Sequence, residues 1–215
     1  MMATTHVLAG LVVASAVATV APEFGPMALV AAAVGGALPD FDLYAGHRKT
    51  LHFPVYFPGA AALATPLALL VPTQATVGLA VFLLAAGLHS AMDALGGGLE
   101  LKPWHATSQQ AVFSHYHGSW IAPRRLVRYD GAPEDLLLAG VLAVPAFVAF
   151  GSPVEEGIVA ILAVSAVYVV LRKPMVAFGE WLVERLPPAV VGRIPDAVVG
   201  DLVDAAGADR PAGGD

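Results

Sequence analysis

The sequence contains no cysteine and little charge. Without cysteine there is no disulfide framework and no thiolate metal site, so any metal must be held by nitrogen and oxygen ligands. Only 13% of the 215 residues are charged, and the net charge of -6 gives no indication of nucleic-acid binding. Hydrophobic residues make up 57% of the chain, and the mean hydropathy of +0.72 exceeds that of ordinary soluble domains. The composition therefore predicts that most of the chain lies in a lipid bilayer.

Six apolar stretches with turn-rich breaks between them predict six helices. Lipid leaves no backbone polar group unpaired, so segments this apolar should be helical. The first two stretches are short for a hydrocarbon core of about 30 Å and would form a hairpin that does not fully span it. The stretches are residues 6–20, 26–38, 55–71, 76–95, 136–150 and 154–171. We therefore predict an all-α fold, a polytopic membrane helical bundle of about six helices.

Basic residues are distributed asymmetrically along this predicted bundle. None of the 11 Lys and Arg residues lies in the breaks at 21–25, 72–75 and 151–153, which the positive-inside rule assigns to the exterior. Both termini are then cytoplasmic, and all seven histidines face the cytoplasm. A soluble helical protein would not explain this asymmetry. A cleavable signal peptide is disfavoured because no Lys or Arg precedes the first apolar stretch.

His89 and Asp93 lie in the fourth apolar stretch. A spacing of four residues places the imidazole and the carboxylate on one face of a helix, about 5–6 Å apart at Cβ, where one metal can bind both. A hydrogen bond between the two side chains on the helix surface is the alternative interpretation. An ionisable pair inside an apolar stretch is costly and indicates function by default, so we favour metal ligation.

Two acidic residues, Asp40 and Asp42, follow the second stretch directly after Pro39. Alternate residues of an extended segment point the same way, so both carboxylates could face one site, although a polar loop capped by acids is the structural alternative. His47 and His52 come shortly afterwards. Imidazole and carboxylate together suit Zn²⁺ or Mn²⁺, and the combination predicts a metal site at the cytoplasmic face.

His6 and Arg48 complete the candidate site. His6 lies at the start of the first stretch, where a lone histidine is usually part of an amphipathic surface. Arg48 could bind a phosphoryl oxygen, anchor the loop on the cytoplasmic side, or hold Asp40 or Asp42. Three other histidines rank lower because no carboxylate partner lies near them in the sequence, namely His105, His115 and His117.

The order of these residues resembles that of the YdjM-like family. The family is described as LexA-binding, inner-membrane-associated, metal-dependent hydrolases, and is in turn similar to zinc-dependent phospholipase C and single-strand-specific nucleases. The similarity covers residues 4–105 approximately. Four motifs account for it. The first two are an early histidine, His6, and a Leu-Pro-Asp-Phe-Asp run at residues 38–42. The other two are the His47-Arg48 pair with the later His52, and the His-x-x-x-Asp pair of His89 and Asp93.

This resemblance implies a zinc site with a defined ligand set. His52, His89 and one of Asp40 or Asp42 would bind one metal, with Asp93 bridging toward a second metal near His6. The chain departs from the family at residues 49–51, which read Lys-Thr-Leu where Gly-Phe-Thr is frequent, and at 94–97, which replace a Leu-Thr-Pro run. The remaining ligands of a three-zinc cluster have no clear counterpart in this chain, so the number of metals stays open.

Three functions follow as hypotheses. The leading one is a membrane-bound hydrolase in which one or two divalent metals activate water against a phosphoester or lipid-like substrate, with the non-ligating member of Asp40 and Asp42 as general base and Arg48 binding the phosphoryl group. The second is a scaffold that keeps a structural metal and recruits a soluble protein partner. The third, a metal or proton transporter, is disfavoured because the outer halves of the helices are nearly all apolar.

We divide the chain into three parts on these grounds. Residues 1–173 form the membrane-embedded, metal-dependent hydrolase-like domain. Residues 174–205 form an amphipathic or interfacial helical segment. Residues 206–215 are expected to be a disordered tail.

Overall fold

A computed structural model describes residues 1–193 together with 199, 200 and 202. This part of the chain is mostly helical, and each of the six apolar stretches corresponds to one long helix. The helices are α1 Ala3–Val20, α2 Gly25–Ala37, α3 Tyr56–Leu70, α4 Gln74–Leu95, α5 Pro133–Ala149, α6 Val154–Arg185 and a short α7 Pro188–Val191. The prediction of a helical fold is confirmed for these residues.

The long segment between α4 and α5 contains the described strands. β1, Val112–Ser114, and β2, Ser119–Ile121, pair antiparallel, with Phe113 opposite Trp120. The sequence does not predict this small hairpin, because each strand has only three residues and shows no clear alternation of apolar and polar side chains.

Four helical segments are long and apolar enough to cross a membrane. They are Ala3–Val20, Pro22–Asp42, Gln74–Leu95 and Val154–Arg185. The first two are longer than their apolar stretches suggest, because α1 begins at Ala3 and 3-10 turns extend α2 at both ends. At 15 residues, α3 is apolar but shorter than these four segments.

Helix α6 continues through Pro174 to Arg185, across the domain boundary predicted after residue 173. At 32 residues it is far longer than the ~20 residues that a bilayer requires. It therefore has length to extend beyond the hydrocarbon core. The predicted tail at residues 206–215 lies outside the described residues.

Small residues bring α1, α2 and α4 close together. A Cβ on Gly10 would lie 2.7 Å from the carbonyl oxygen of Ala32, and one on Gly36 would lie 2.8 Å from that of His6. Leu8, Ala28 and several other apolar residues fill the contact between these helices. Close approach of this kind is typical of helix packing in membranes. It places the start of α1 directly beside the ends of α2 and α4.

Gly36→Ala should therefore destabilise the protein. The added methyl group would lie 2.8 Å from the His6 carbonyl oxygen and 2.9 Å from Val7 Cα, so α1 must move away from α2. Overpacking of this kind costs about 1–3 kcal/mol, and the melting temperature of the protein in detergent should fall by about 2–4 °C per kcal/mol. Gly140→Ala is the matched control in α5, because nothing lies within 4 Å of its added Cβ. Equal melting temperatures for the two variants would contradict the packing described here.

Candidate metal centre

Four side chains converge where α1, α2 and α4 meet. Asp40, His52, His89 and Asp93 each offer one ligand atom, and these atoms all lie within 4.8 Å of one another. The Nε2 atoms of His52 and His89 are 3.1 Å apart, and they lie 3.1 Å and 3.4 Å from Asp93 Oδ2. Asp40 Oδ1 lies 3.4 Å from His89 Nε2. Two imidazole nitrogens and two carboxylate oxygens form a donor set that suits a divalent metal.

Both histidines of this cluster are oriented through their Nδ1 atoms. His52 Nδ1 lies 3.0 Å from Asp42 Oδ2, and His89 Nδ1 lies 2.7 Å from the carbonyl oxygen of Gly36. Both partners are acceptors, so in the neutral form of each ring the proton lies on Nδ1 and a lone pair lies on Nε2. In that form the lone pairs of His52 and His89 point toward each other. A metal-binding histidine is normally held in this way.

Asp93 supplies a second sign that a cation fits here. Its Oδ2 atom is buried and has no hydrogen-bond partner within the described residues. The Nε2 atoms of His52 and His89 lie 3.1 and 3.4 Å from it, and neither has a proton to donate when both rings are neutral. Unsatisfied buried polar atoms are rare in folded proteins. The orphaned oxygen and the two lone pairs together fit a divalent cation.

Asp40 and Asp42 do not face one site as alternate residues of an extended segment would. Residues Leu38–Asp42 form a 3-10 turn, so the two side chains point in different directions. Asp40 joins the cluster and is partly exposed, whereas Asp42 is fully buried. The geometry therefore separates two carboxylates that the sequence left equivalent.

Asp42 organises the loop that follows it. Its oxygens accept hydrogen bonds from the backbone N–H groups of Arg48, Lys49 and Leu51 at 3.2, 3.3 and 3.0 Å. The same carboxylate accepts from His47 Nδ1 at 3.1 Å and from His52 Nδ1. One buried carboxylate thus shapes the loop and orients His52 toward the cluster.

His6 lies on the other side of Asp93. Its Nε2 atom is 3.1 Å from Asp93 Oδ1, and its ring stacks on that of His89 with centroids 3.7 Å apart. His6 Nδ1 is buried without a hydrogen-bond partner in the described part of the chain. Asp93 therefore presents one oxygen to His52 and His89 and the other to His6, the arrangement that a bridging carboxylate needs.

Arg48 is buried and adopts a left-handed backbone conformation with φ of 57°. Its Nη1 atom donates to the carbonyl oxygen of Gly97 at 2.8 Å, and its Nη2 atom lies 3.6 Å from Asp93 Oδ1. Its backbone oxygen accepts from Phe113 N at 2.9 Å. The guanidinium thus approaches Asp93, while contact with Asp42 is made by the Arg48 backbone.

His47 is the most exposed histidine of the candidate set, with 27% of its side chain accessible. It lies outside the four-residue cluster. Burial and the charge of the neighbouring Arg48 lower the pKa of His47 below its ordinary value, even though Asp40 and Asp42 oppose this shift. The ring is therefore neutral at neutral pH, with Nδ1 donating to Asp42.

The remaining histidines lie outside the cluster. His115 Nε2 donates to the carbonyl oxygen of Lys49 at 2.6 Å, and His117 Nδ1 lies 2.8 Å from Ser114 Oγ. His105 packs edge-on against Trp104. His115 therefore supports the loop that Asp42 organises, a contact between distant segments that no local sequence pattern signals.

A cleft of about 710 Å³ opens beside the cluster. Asp40, His47 and Arg48 line one side, and Tyr168 and Arg172 of α6 line the other. Asp40 has 21% of its side chain exposed, whereas His52, His89 and Asp93 are at most 1% exposed. Asp40 is therefore the member of the cluster that borders the cleft.

No protein-family model, curated protein or solved structure matches this chain. The resemblance to the YdjM-like family accordingly stays a prediction from the sequence.

Asp42→Asn should weaken metal binding without removing a ligand. An amide cannot accept from every donor that the carboxylate faces, so His52 loses its fixed tautomer and orientation. Changes to such supporting groups typically lower metal affinity by about 10–100-fold. Competition for Zn²⁺ against a chromogenic chelator, with purified protein in detergent, measures the effect. Glu134→Gln is the control, because Glu134 pairs with Arg128 and takes no part in the cluster. Unchanged affinity in a folded Asp42→Asn protein would contradict the assigned role.

Proposed function

We propose that this chain is a membrane-bound, metal-dependent hydrolase that acts on a phosphoester at the cytoplasmic face. The observation on which the proposal rests is the position of Asp40, which lies in the cluster with three buried ligands and also lines an open cleft. Catalytic metal sites keep a coordination position open to substrate, whereas structural sites are closed by protein ligands. A purely structural metal would not require a large cleft beside it.

His52, His89, Asp93 and Asp40 would hold the metal. When bound, a divalent ion such as Zn²⁺ or Mn²⁺ supplies Lewis acidity toward the ester and lowers the pKa of water. Asp42 fixes the orientation of His52. Asp93 directs its second oxygen toward His6, and a second metal in that direction stays an expectation from the family resemblance.

Asp42 is the carboxylate that does not belong to the cluster, and its position makes it a poor general base. Asp42 is fully buried, and its oxygens already accept from three backbone N–H groups and two imidazoles. His47 lines the cleft and donates Nδ1 to Asp42, which leaves its Nε2 atom to accept a proton. We therefore assign proton acceptance to His47 and a supporting role to Asp42.

Arg48 is placed to stabilise negative charge. It lines the cleft, and its guanidinium is fixed by the Gly97 carbonyl beside Asp93. A buried guanidinium held in this way needs no rearrangement before it binds a phosphoryl oxygen.

The cytoplasmic orientation of the site is part of this proposal. The loops that contain Arg48, Lys102 and Arg128 lie at the site end of the helices, and the short turns at the other end carry no basic residue. The positive-inside rule places the site end in the cytoplasm.

The scaffold hypothesis differs from the enzyme hypothesis in one measurable respect, turnover of an ester. His89→Ala and Asp93→Ala should each lower the zinc content of the purified protein by about tenfold or more, since each removes a ligand. Both should also abolish phosphodiesterase activity on bis(p-nitrophenyl) phosphate. Elemental analysis and a colorimetric assay measure the two effects, with His117→Ala as the control, since its imidazole lies outside the cluster.

Two outcomes would overturn parts of this proposal. Full zinc content in both variants would show that the site is elsewhere. Zinc bound by the native chain but lost from both variants, without turnover of any ester in a broad screen, would favour the scaffold with a structural metal.

A further inference from the structure

The cleft extends from Asp40 along one face of α6. Val164, Ser165, Tyr168 and Arg172 line it, and their spacing places them on one side of the helix over two turns. The hydroxyl of Ser165 donates to that of Thr4 in α1 at 2.7 Å, which joins the two helices beside the cleft. The wall opposite the metal centre is thus part of a helix long and apolar enough to cross the membrane.

Arg172 marks the level at which α6 leaves the apolar region. No charged residue lies between Glu156 and Arg172, and Lys173 follows directly. Both cations lie over the ring of Trp104, at 5.7 and 5.2 Å from its centroid. Tryptophan together with basic residues is characteristic of the membrane–water interface. Val164 lies eight positions earlier, so it is about 12 Å deeper along the helix axis.

The cleft therefore has a polar end and an apolar end. Asp40 and Arg48 lie at the metal centre, and Arg172 lies at the level of the interface. Val164 is apolar, with 61% of its surface exposed. A water-soluble ester would gain nothing from the apolar end, whereas an amphiphile would use both.

Arg172 is held in place but keeps capacity to bind an anion. Its Nε atom donates to Asp130 at 2.9 Å, and Tyr168 donates to the same carboxylate at 2.5 Å. Burial opposes ionisation of Asp130, but Arg172 outweighs it and lowers the pKa of that carboxyl group. Within the described residues, Nη1 of Arg172 makes no hydrogen bond. A fixed guanidinium with a free N–H edge suits a phosphate oxygen.

We propose that the cleft takes a phospholipid sideways out of the adjoining leaflet, so that the phosphate lies at the Asp40 end and an acyl chain lies along Val164. The proposal rests on the hydrolase function for its catalytic consequence, but binding of the lipid does not depend on turnover. The lipid occupies the cleft between α1 and α6, and Arg48 and Arg172 face its phosphate.

Val164→Trp tests this route. The indole would fill the apolar end of the cleft and exclude the acyl chain. Val170→Trp is the matched control, because Val170 is 71% exposed on the same helix, lies about 120° around it, and does not line the cleft. Each protein is reconstituted in vesicles of phosphatidylglycerol and phosphatidylcholine, and turnover of phosphatidylglycerol is compared with that of bis(p-nitrophenyl) phosphate. We expect Val164→Trp to lower the ratio of lipid to soluble-ester turnover at least tenfold, and Val170→Trp to leave both rates unchanged.

A binding measurement separates failure of this proposal from failure of the hydrolase function. After exchange from the same vesicles into detergent, native mass spectrometry should find phosphatidylglycerol retained by the native chain and by Val170→Trp but lost from Val164→Trp. This result supports the proposal even if no ester is hydrolysed. Equal retention by both variants, no retention by the native chain, or an unchanged turnover ratio would overturn it. Turnover of the soluble ester alone would instead favour a water-soluble substrate.

Discussion

Burial of ionisable side chains at one end of an apolar helix bundle is the constraint on which the rest of the site depends. His52, His89 and Asp93 are almost completely buried, in a chain where few residues are charged. Removing an ion from water costs several kcal/mol unless nearby charges and hydrogen bonds compensate. The two oxygens of Asp93 differ in their surroundings, because one has several polar neighbours and the other has no hydrogen-bond partner in the described part of the chain.

A divalent cation would give Asp93 Oδ2 the partner that the nearby protein groups do not supply. Arg48 approaches only Oδ1 of Asp93, at 3.6 Å, and His6 lies on the same side. Oδ2 faces the Nε2 atoms of His52 and His89, which a cation could bind together with it. The contacts on the far side of the two imidazoles agree with this interpretation, since Asp42 and the Gly36 carbonyl hold both rings by their Nδ1 atoms.

The sequence predicts the helices and the His89–Asp93 pair well, because each depends on local periodicity. Hydropathy alone locates six helices, and a spacing of four residues places His89 and Asp93 on one face. The roles of Asp40 and Asp42 could not be predicted, because they depend on whether residues 38–42 are extended or turned. The role of Gly36 could not be predicted either. Its backbone carbonyl orients His89 and its lack of a side chain lets α1 pack closely, and neither contact follows from a side-chain pattern in the sequence.

The organisation of residues 43–52 connects these observations to folding. This segment contains neither an α-helix nor a strand, and loops of this kind are usually mobile. Here one buried carboxylate, Asp42, accepts from three backbone N–H groups, and Arg48 adopts a left-handed backbone conformation that costs about 1–3 kcal/mol for a residue other than glycine. Such a conformation persists only where the surroundings hold it.

A metal bound through His52 would add its binding free energy to the stability of this loop. The reason is that His52 can reach the cluster only when the loop has folded around Asp42. Loop order and metal binding are therefore expected to be thermodynamically coupled, so the residues that hold the loop contribute to the metal affinity without touching the metal.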